Sequence, residues 1–239
     1  AGADGQIAPN STPPSKVHTA AKYEVVTTTK IVYAKGLIDA SWGTKVGTET
    51  TLMLDTYAPK DHPGGLKPAL ILIHGGGFVG GTRLNGAIVA QAKYFAARGW
   101  FTASISYRLA GAKGPVPKLW AAAAAATPIP DVVKAMYTAG RDAKAAVRWL
   151  HANATKLGVH PDHIAIGGGS AGAYTAIGVG VSKPEDLRDE LTADEDPTLA
   201  TTHLQASAKV AAIVDYWGGA GMLTALATID GGKTRFDAG

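Results

Sequence analysis

The sequence predicts an α/β protein in which a mostly parallel central sheet is flanked by helices. Short apolar runs typical of strands alternate with longer segments of helical periodicity, as in chains that form doubly wound sheets. The run ALILIH at 69–74 is apolar on both faces of the pleat, which is typical of an interior strand covered by helices on both sides. The chain has 239 residues, of which 46% are hydrophobic and 18% charged, and this favours a single domain with one core.

The first half of the chain predicts an antiparallel beginning of this sheet. Residues 22–34 and 48–57 are rich in β-branched and aromatic residues and should form half-exposed strands. Residues 85–98 predict a helix that ends at Gly99, and residues 100–107 predict the strand that follows it.

The second half predicts two further helices and two further strands. A helix that closes at Gly158 is indicated by an apolar stripe at intervals of three or four residues: Ala143, Val147, Leu150, Ala154 and Leu157. Residues 163–167 predict a strand, 171–181 a helix of small residues, 183–197 an acidic surface excursion and 208–218 another buried strand.

The charge balance and composition exclude several classes of function. The formal net charge of +4 comes from basic residues scattered among nearly as many acidic ones, whereas a nucleic-acid partner requires clustered Lys and Arg. The absence of cysteine excludes disulfides, thiolate catalysis and Cys-ligated zinc. No apolar run approaches the roughly 18 residues that a membrane-spanning helix requires. We therefore expect no nucleic-acid partner and no membrane span.

Two segments differ from this pattern. Residues 1–21 are small, polar and Pro-containing, and they predict a flexible leader ahead of a single domain at 22–239. A leader that begins with Ala1 favours a secreted or periplasmic protein over a cytoplasmic one. The alanine tract at 121–126 predicts a surface or lid-like helical piece.

The segment IAIGGGSAGAY contains the candidate nucleophile. Gly168, Ser170 and Gly172 form the pattern G-x-S-x-G between a predicted strand and a predicted helix, where a serine on a strained turn exposes its hydroxyl above the sheet. A side chain at either glycine would collide with the neighbouring strand or helix. The same turn places backbone amides, notably that of Ala171, where they can stabilise an oxyanion.

The pentapeptide by itself leaves open a structural glycine turn or a phosphate-binding loop. Gly167, Gly169 and Gly172 also fit the spacing G-x-G-x-x-G. They follow the fifth predicted strand, however, whereas a dinucleotide-binding motif belongs near the first strand. A second glycine motif decides between these alternatives.

That motif, HGGGFVGG at 74–81, follows the predicted interior strand and favours a catalytic site. Three consecutive glycines at a strand end permit a loop whose amides converge on one point. We expect Gly76 and Gly77 to donate hydrogen bonds to an oxyanion and Gly75 to shape the turn. His74 is expected to orient this loop through hydrogen bonds rather than to transfer a proton.

At these motifs the sequence resembles α/β-hydrolases of the hormone-sensitive-lipase-like and related carboxylesterase families. The resemblance spans about two thirds of the chain and rests on five segments: LMLDTYAP (52–59), HGGGFVGG (74–81), SYRLA (106–110), RDAKAAVRWLHANATKLGVHPDHIAIGGGSAGAY (141–174) and VAAIVDYWGG (210–219). It implies the α/β-hydrolase fold and a lipase-like serine carboxylesterase that acts on small-molecule esters without a cofactor.

The resemblance also implies roles for individual residues. Ser170 corresponds to the nucleophile at the nucleophile elbow, and the amides of Gly76, Gly77 and Ala171 correspond to the oxyanion hole. At the strand-end Arg108 we expect a structural ion pair with an acidic residue such as Asp142.

The resemblance further implies a catalytic acid and a histidine that follow the serine in the chain. His203 is the one histidine after Ser170, and it precedes the predicted strand 208–218. We expect it at the opposite edge of the sheet, some 20 Å from the serine, whereas a base must lie within about 3 Å. Asp215 lies near the end of that strand, where some α/β-hydrolases carry the acid, although a role in a turn or at the core edge stays open.

The remaining acidic and histidine residues predict no site. Asp230 and Asp237 fall in a glycine-rich tail, where solvated loop residues are usual. His160, Asp162 and His163 precede a strand and lack helical spacing, so we expect no metal there.

Two interpretations remain. We expect that this sequence stops before the strands that carry the acid and the base, and that a separate C-terminal segment or chain supplies them. The alternative is a non-catalytic ligand-binding or interaction protein on a degenerate α/β-hydrolase scaffold.

Overall fold

The structure, a computed structural model, describes residues 14–40, 47–118, 120 and 129–219. These residues form six strands, three helices and two short 3-10 turns. In chain order the elements are β1 (Val25–Ile38), β2 (Thr48–Pro59), β3 (Lys67–Ile73), α1 (Gly86–Ala96), β4 (Phe101–Ile105), a turn at Ala110–Ala112, α2 (Asp131–Leu157), β5 (Val159–Gly169), α3 (Ala171–Val181), a turn at Pro197–Thr201 and β6 (Ala212–Tyr216).

The described strands form one sheet in the order β1-β2-β4-β3-β5-β6. β1 pairs with β2 and β2 with β4 in antiparallel orientation, whereas the pairs β4–β3, β3–β5 and β5–β6 are parallel. The predicted mostly parallel sheet with an antiparallel beginning is confirmed. The predicted interior strand is β3, which lies between β4 and β5 and is buried over nearly its whole length.

Capping residues set the ends of the helices. The Asn85 side chain accepts hydrogen bonds from the amides of Ala87 and Ile88 and so begins α1. Gly158 adopts the left-handed conformation, with φ of +62°, and ends α2. The helix predicted over 171–181 is found as α3 with the same bounds.

α2 also forms the ion pair expected from the sequence. Asp142 accepts hydrogen bonds from Arg108, at 2.6 Å from Nη2 and 2.8 Å from the backbone amide. Both side chains are at most 5% exposed. Arg108 also donates to the carbonyl of Leu37 on β1, so this pair connects the helix to two parts of the sheet.

Two predicted environments are wrong. The segment 208–218 is not a buried strand, because β6 lies at the edge of the described sheet and three of its five residues are exposed. The excursion at 183–197 is not wholly on the surface, because it buries Leu191, Glu195 and Asp196. It covers α2, where Arg141 lies 3.7 Å from the Asp196 carboxylate.

The ends of the chain are described only in part. Of the predicted leader, residues 14–21 run along the domain, where the amide of Ser15 donates to Leu66 and that of His18 donates to Arg98. The alanine tract at 121–126 and the tail carboxylates Asp230 and Asp237 lie outside the described residues. Within the described ranges, none of the helices has the length and apolar character needed to cross a bilayer.

Candidate active site

The two glycine-rich turns lie side by side at the carboxyl edge of the sheet. β3 and β5 are adjacent parallel strands whose register pairs Ile73 with Gly168. A Cβ atom built on Gly75 would lie 3.4 Å from Cβ of Ser170 and 2.8 Å from the carbonyl oxygen of Gly169. The first turn therefore contacts the second.

Ser170 occupies a sharp turn between β5 and α3. Its backbone has φ of +53° and ψ of −121°, a conformation that costs a non-glycine residue on the order of 1–3 kcal/mol. Its amide donates to the carbonyl of Tyr216, and its carbonyl accepts from the amide of Tyr174. Among the described residues its hydroxyl has no hydrogen-bond partner, so the oxygen is available for chemistry.

The glycines that flank the serine leave no room for a side chain. A Cβ atom on Gly172 would collide with the carbonyl oxygen of Ile73 and would lie 2.8 Å from that of His74. A Cβ atom on Gly168 would meet the same Ile73 oxygen. The two glycines therefore allow the helix after the serine to lie directly against the end of β3.

The glycine turn after β3 leaves several amides unbonded. Gly76 and Gly77 adopt φ of +121° and +60°, which glycine accommodates without strain. The Gly76 carbonyl accepts hydrogen bonds from the amides of Val79 and Gly80. Within the described part of the chain, the amides of Gly76, Gly77 and Ala171 donate to no other group.

His74 supports this turn through a local hydrogen bond, as expected. Its Nδ1 atom lies 2.7 Å from the carbonyl oxygen of Gly75. Because a carbonyl can only accept, Nδ1 carries the proton. The side chain is buried, and burial lowers its pKa, an effect that the Gly75 hydrogen bond opposes. The imidazole is therefore neutral at pH 7.

Tyr107 holds His74 from the other side, and the sequence analysis assigned it no role. Its ring stacks on the imidazole with centroids 4.3 Å apart, and its hydroxyl donates to the backbone carbonyl of His74. Burial raises the pKa of Tyr107 far above its ordinary value, so the hydroxyl keeps its proton. Tyr107 ends the predicted strand 100–107, and its position at a carboxyl strand end was the signal that could have identified it.

An ion pair between a partly buried arginine and a buried aspartate fixes the segment after the glycine turn. Arg83 Nε lies 2.7 Å from Asp55 Oδ1. The backbone of Arg83 also donates to the hydroxyl of Ser106 and accepts from that of Ser104. These contacts hold the turn to β2 and β4.

His74 is the one histidine at this edge of the sheet, and all seven histidines lie within the described residues. His203 lies near Tyr33 and Arg148, and burial is the main cause of its lowered pKa. Tyr33 belongs to β1, which is four strand spacings, or roughly 19 Å, from β5. His203 is therefore remote from Ser170, as predicted.

The other five histidines lie at the opposite edge or on the helix face. His160 and His163 contact each other at the start of β5, and the His151 ring contacts the carbonyl of Lys209. His18 and His62 flank Tyr23. In the ranges that the structure describes, no three His, Asp or Glu side chains are grouped so as to hold a metal ion.

Asp215 and Trp217 complete the edge beside Ser170. Asp215 is paired in register with Gly168, and its Oδ1 accepts a hydrogen bond of 2.6 Å from the amide of Gly218. The Trp217 indole approaches Gly169 and is 77% exposed. Asp215 thus lies at the predicted end of its strand, where its side chain accepts a hydrogen bond from the turn that follows.

Comparison with known proteins extends this description. The BD-FAE family model matches residues 54–126 and 131–235. Esterase LipC of Mycobacterium tuberculosis (strain ATCC 25618 / H37Rv) is 30% identical over 136 residues, which are 57% of this chain and 28% of that protein.

Solved structures share the fold. Thermogutta terrifontis esterase 2 phosphoramylated by tabun aligns with a TM-score of 0.54 and 24% identity, over 80% of this chain and 56% of that chain. The butyrate-bound form of the same esterase aligns with a TM-score of 0.52 and 24% identity, over 76% of this chain and 53% of that chain. The chain thus spans about half the length of these structures. The architecture and the family match agree: the chain belongs to the BD-FAE family and has the α/β-hydrolase fold of carboxylesterases.

Proposed function

We propose that the protein acts as a serine carboxylic-ester hydrolase through an acyl-enzyme. The observation that supports this proposal is the closeness of the two glycine turns, since a Cβ atom built on Gly75 would lie 3.4 Å from Cβ of Ser170. The strained backbone of Ser170 and the unbonded amides of the two turns add to this support. The family match and the resemblance to Esterase LipC support ester substrates.

The proposed reaction has two steps. Ser170 Oγ attacks the ester carbonyl carbon while a base takes the hydroxyl proton, and the resulting oxyanion accepts hydrogen bonds from the amides of Gly76, Gly77 and Ala171. The C–O bond to the alcohol then breaks as the alcohol takes up that proton. Water hydrolyses the acyl-enzyme by the reverse sequence and regenerates the serine.

The proposal assigns the base to a histidine outside these 239 residues, supplied with its acid by a further segment or a separate chain. His74 is unsuited to this role, because its Nδ1 proton is held by Gly75 and its Nε2 atom is buried. We therefore expect poor ester turnover by the 239-residue chain alone. Ester turnover by this chain that Ser170→Ala abolishes would overturn the assignment of the base.

A fluorophosphonate probe tests the nucleophile directly. Because the proposed base lies outside these 239 residues, we expect the chain to form one adduct slowly, over prolonged incubation, supported by the amides alone. Intact mass detects the adduct, peptide mapping places it on Ser170, and Ser170→Ala removes it. Ser207→Ala is the matched control, because Ser207 is exposed on a loop and should leave labelling unchanged. Reversible ligand binding by a folded chain without any adduct would contradict the enzyme and favour the non-catalytic binding protein.

A further inference from the structure

A cavity of about 280 Å³ lies between α2 and α3, one helical turn from Ser170. Phe78, which follows the glycine turn, and Tyr174, on the first turn of α3, form the wall nearest to the serine. The remaining wall comes from α2, from the middle of α3, from the segment 182–190, and from Pro117 and Trp120. The cavity therefore adjoins the candidate site without containing its nucleophile.

Most of the surface that faces into the cavity is apolar. Aromatic and aliphatic side chains, among them Phe78, Met136 and Leu187, form most of it. Both acidic lining residues already accept hydrogen bonds: Glu190 from the Tyr137 hydroxyl and the amide of Leu187, and Asp186 from the amide of Lys183. Because these carboxylates are bonded within the protein, the cavity suits an apolar group rather than a cation or a sugar.

The wall formed by 182–190 is fixed in place. Lys144 is buried on α2, and its ammonium donates to the Ser182 hydroxyl and to the carbonyls of Lys183 and Asp186. Three oxygen acceptors around one buried cation hold this segment against the helix. The cavity is therefore preformed, as ligand pockets usually are.

The size and direction of the cavity define what it can hold. An apolar cavity of about 150 Å³ accommodates benzene, so one of about 280 Å³ accommodates roughly eight to ten carbon atoms. Gly178, which lines the cavity, lies eight residues after Ser170 on α3, or about 12 Å along the helix axis. A chain that starts at the serine and follows the helix would end near Gly178.

We infer that this cavity binds the acyl chain of medium-chain esters and that Gly178 sets the chain length it accepts. A Cβ atom on Gly178 would meet nothing within 4 Å, so a larger side chain there would extend into the cavity instead of displacing the backbone. This inference rests on the proposed function, because the acyl chain reaches the cavity from an ester bound at Ser170.

The test compares labelling by methyl and octyl fluorophosphonates. We expect the octyl probe to react about tenfold faster or more, since burying its methylenes in the cavity is favourable. Gly178→Leu should reduce this octyl-to-methyl ratio to about one, and Gly178→Ala should reduce it in part. Gly86→Leu is the matched control, because Gly86 also has open space around it but lies on α1. It should keep the ratio.

Binding of octanoate to Ser170→Ala, measured by calorimetry, separates the two proposals. If octanoate binds to Ser170→Ala and this binding is lost in Ser170→Ala/Gly178→Leu, the cavity is supported. If, in addition, no probe labels the serine of the unmodified chain, only the esterase proposal is overturned. Labelling of Ser170 at equal rates by both probes, unchanged by Gly178→Leu, overturns the cavity and leaves the esterase. Absence of both labelling and octanoate binding in folded protein overturns both.

Discussion

At the scale of single residues, Gly172 and Gly178 belong to the same helix but differ in the space around them. Gly172 lies against backbone carbonyl oxygens of the β3 end, whereas Gly178 faces open space. A backbone neighbour cannot move aside as the end of a flexible side chain can. The same substitution should therefore have opposite effects at the two positions.

We predict that Gly172→Ala lowers the free energy of unfolding by about 1–3 kcal/mol, because the new methyl group forces backbone shifts. Gly178→Ala should raise it by about 0.5–1 kcal/mol, since alanine is the better helix former and meets no neighbour. Urea unfolding followed by circular dichroism measures both values. Equal stability of the two variants would contradict the contact between Gly172 and the carbonyl of Ile73.

We expect His74 to support the glycine turn through its hydrogen bond rather than to transfer a proton during the reaction, and this distinction can be measured. Asparagine places an N–H group where His74 has Nδ1–H and can keep the bond to Gly75. We predict that His74→Asn labels with the methyl probe within about threefold of the wild-type rate. His74→Leu should lose about tenfold or more, because the amides proposed for the oxyanion hole are displaced. Equal losses in both variants would show that ring stacking on Tyr107, and not the hydrogen bond, supports the turn.

At the scale of elements, α2 is held by buried charge. Asp142 and Arg108 are almost completely buried, whereas the Lys35–Glu49 pair that joins β1 and β2 is about half exposed. Removing one partner of a buried pair leaves the other charge without compensation. When one partner of an exposed pair is removed, the remaining charge is still hydrated by water, so the loss of stability is small.

We predict that Asp142→Ala destabilises the fold by about 3–5 kcal/mol, and that the matched variant Glu49→Ala loses less than about 1 kcal/mol. Urea unfolding of both variants in one buffer provides the comparison. Similar losses in the two variants would mean that Arg108 is not confined in the folded protein. Salt should reduce the small effect at Glu49 more than the large effect at Asp142.

The bounds of some elements could be predicted from neighbouring residues, whereas those of others depend on partners distant in the chain. The helix 171–181 was predicted with its bounds because its residues and the glycine turn before it are contiguous. α2 begins at Asp131, well before the predicted stripe, because its first half buries Arg141 and Asp142 against partners distant in the chain. The same limitation explains why β6 was wrongly predicted to be buried. An apolar strand can have the same composition in the interior of a sheet and at its edge.

At the scale of the whole molecule, the candidate site could be predicted only where strand ends determine it. Ser170 and the turn 74–81 follow parallel strands, and such strands end at one edge of a sheet. The cavity could not be predicted, because Phe78 and Met136 come from separate segments and resemble ordinary core residues in sequence. Tyr107 was missed for the same reason, although it ends the predicted strand 100–107.

Histidine burial should make the whole molecule less stable in mild acid. Burial is the main cause that lowers the pKa of four histidines below the ordinary value of 6.5: His62, His74, His151 and His203. Below pH 6.5 the unfolded chain therefore binds more protons than the folded chain, and the free energy of unfolding falls as the pH falls.

We predict a lower urea midpoint at pH 5.5 than at pH 7.5. Three carboxyls, Asp131, Asp189 and Glu195, have pKa values that hydrogen bonds lower, so their stabilisation is lost only at more acidic pH and does not affect this interval. His74→Asn, which keeps a donor to Gly75 but does not titrate, should show a smaller difference between the two midpoints. An unchanged or higher midpoint at pH 5.5 would mean that these imidazoles take up protons in the folded chain as readily as in the unfolded one.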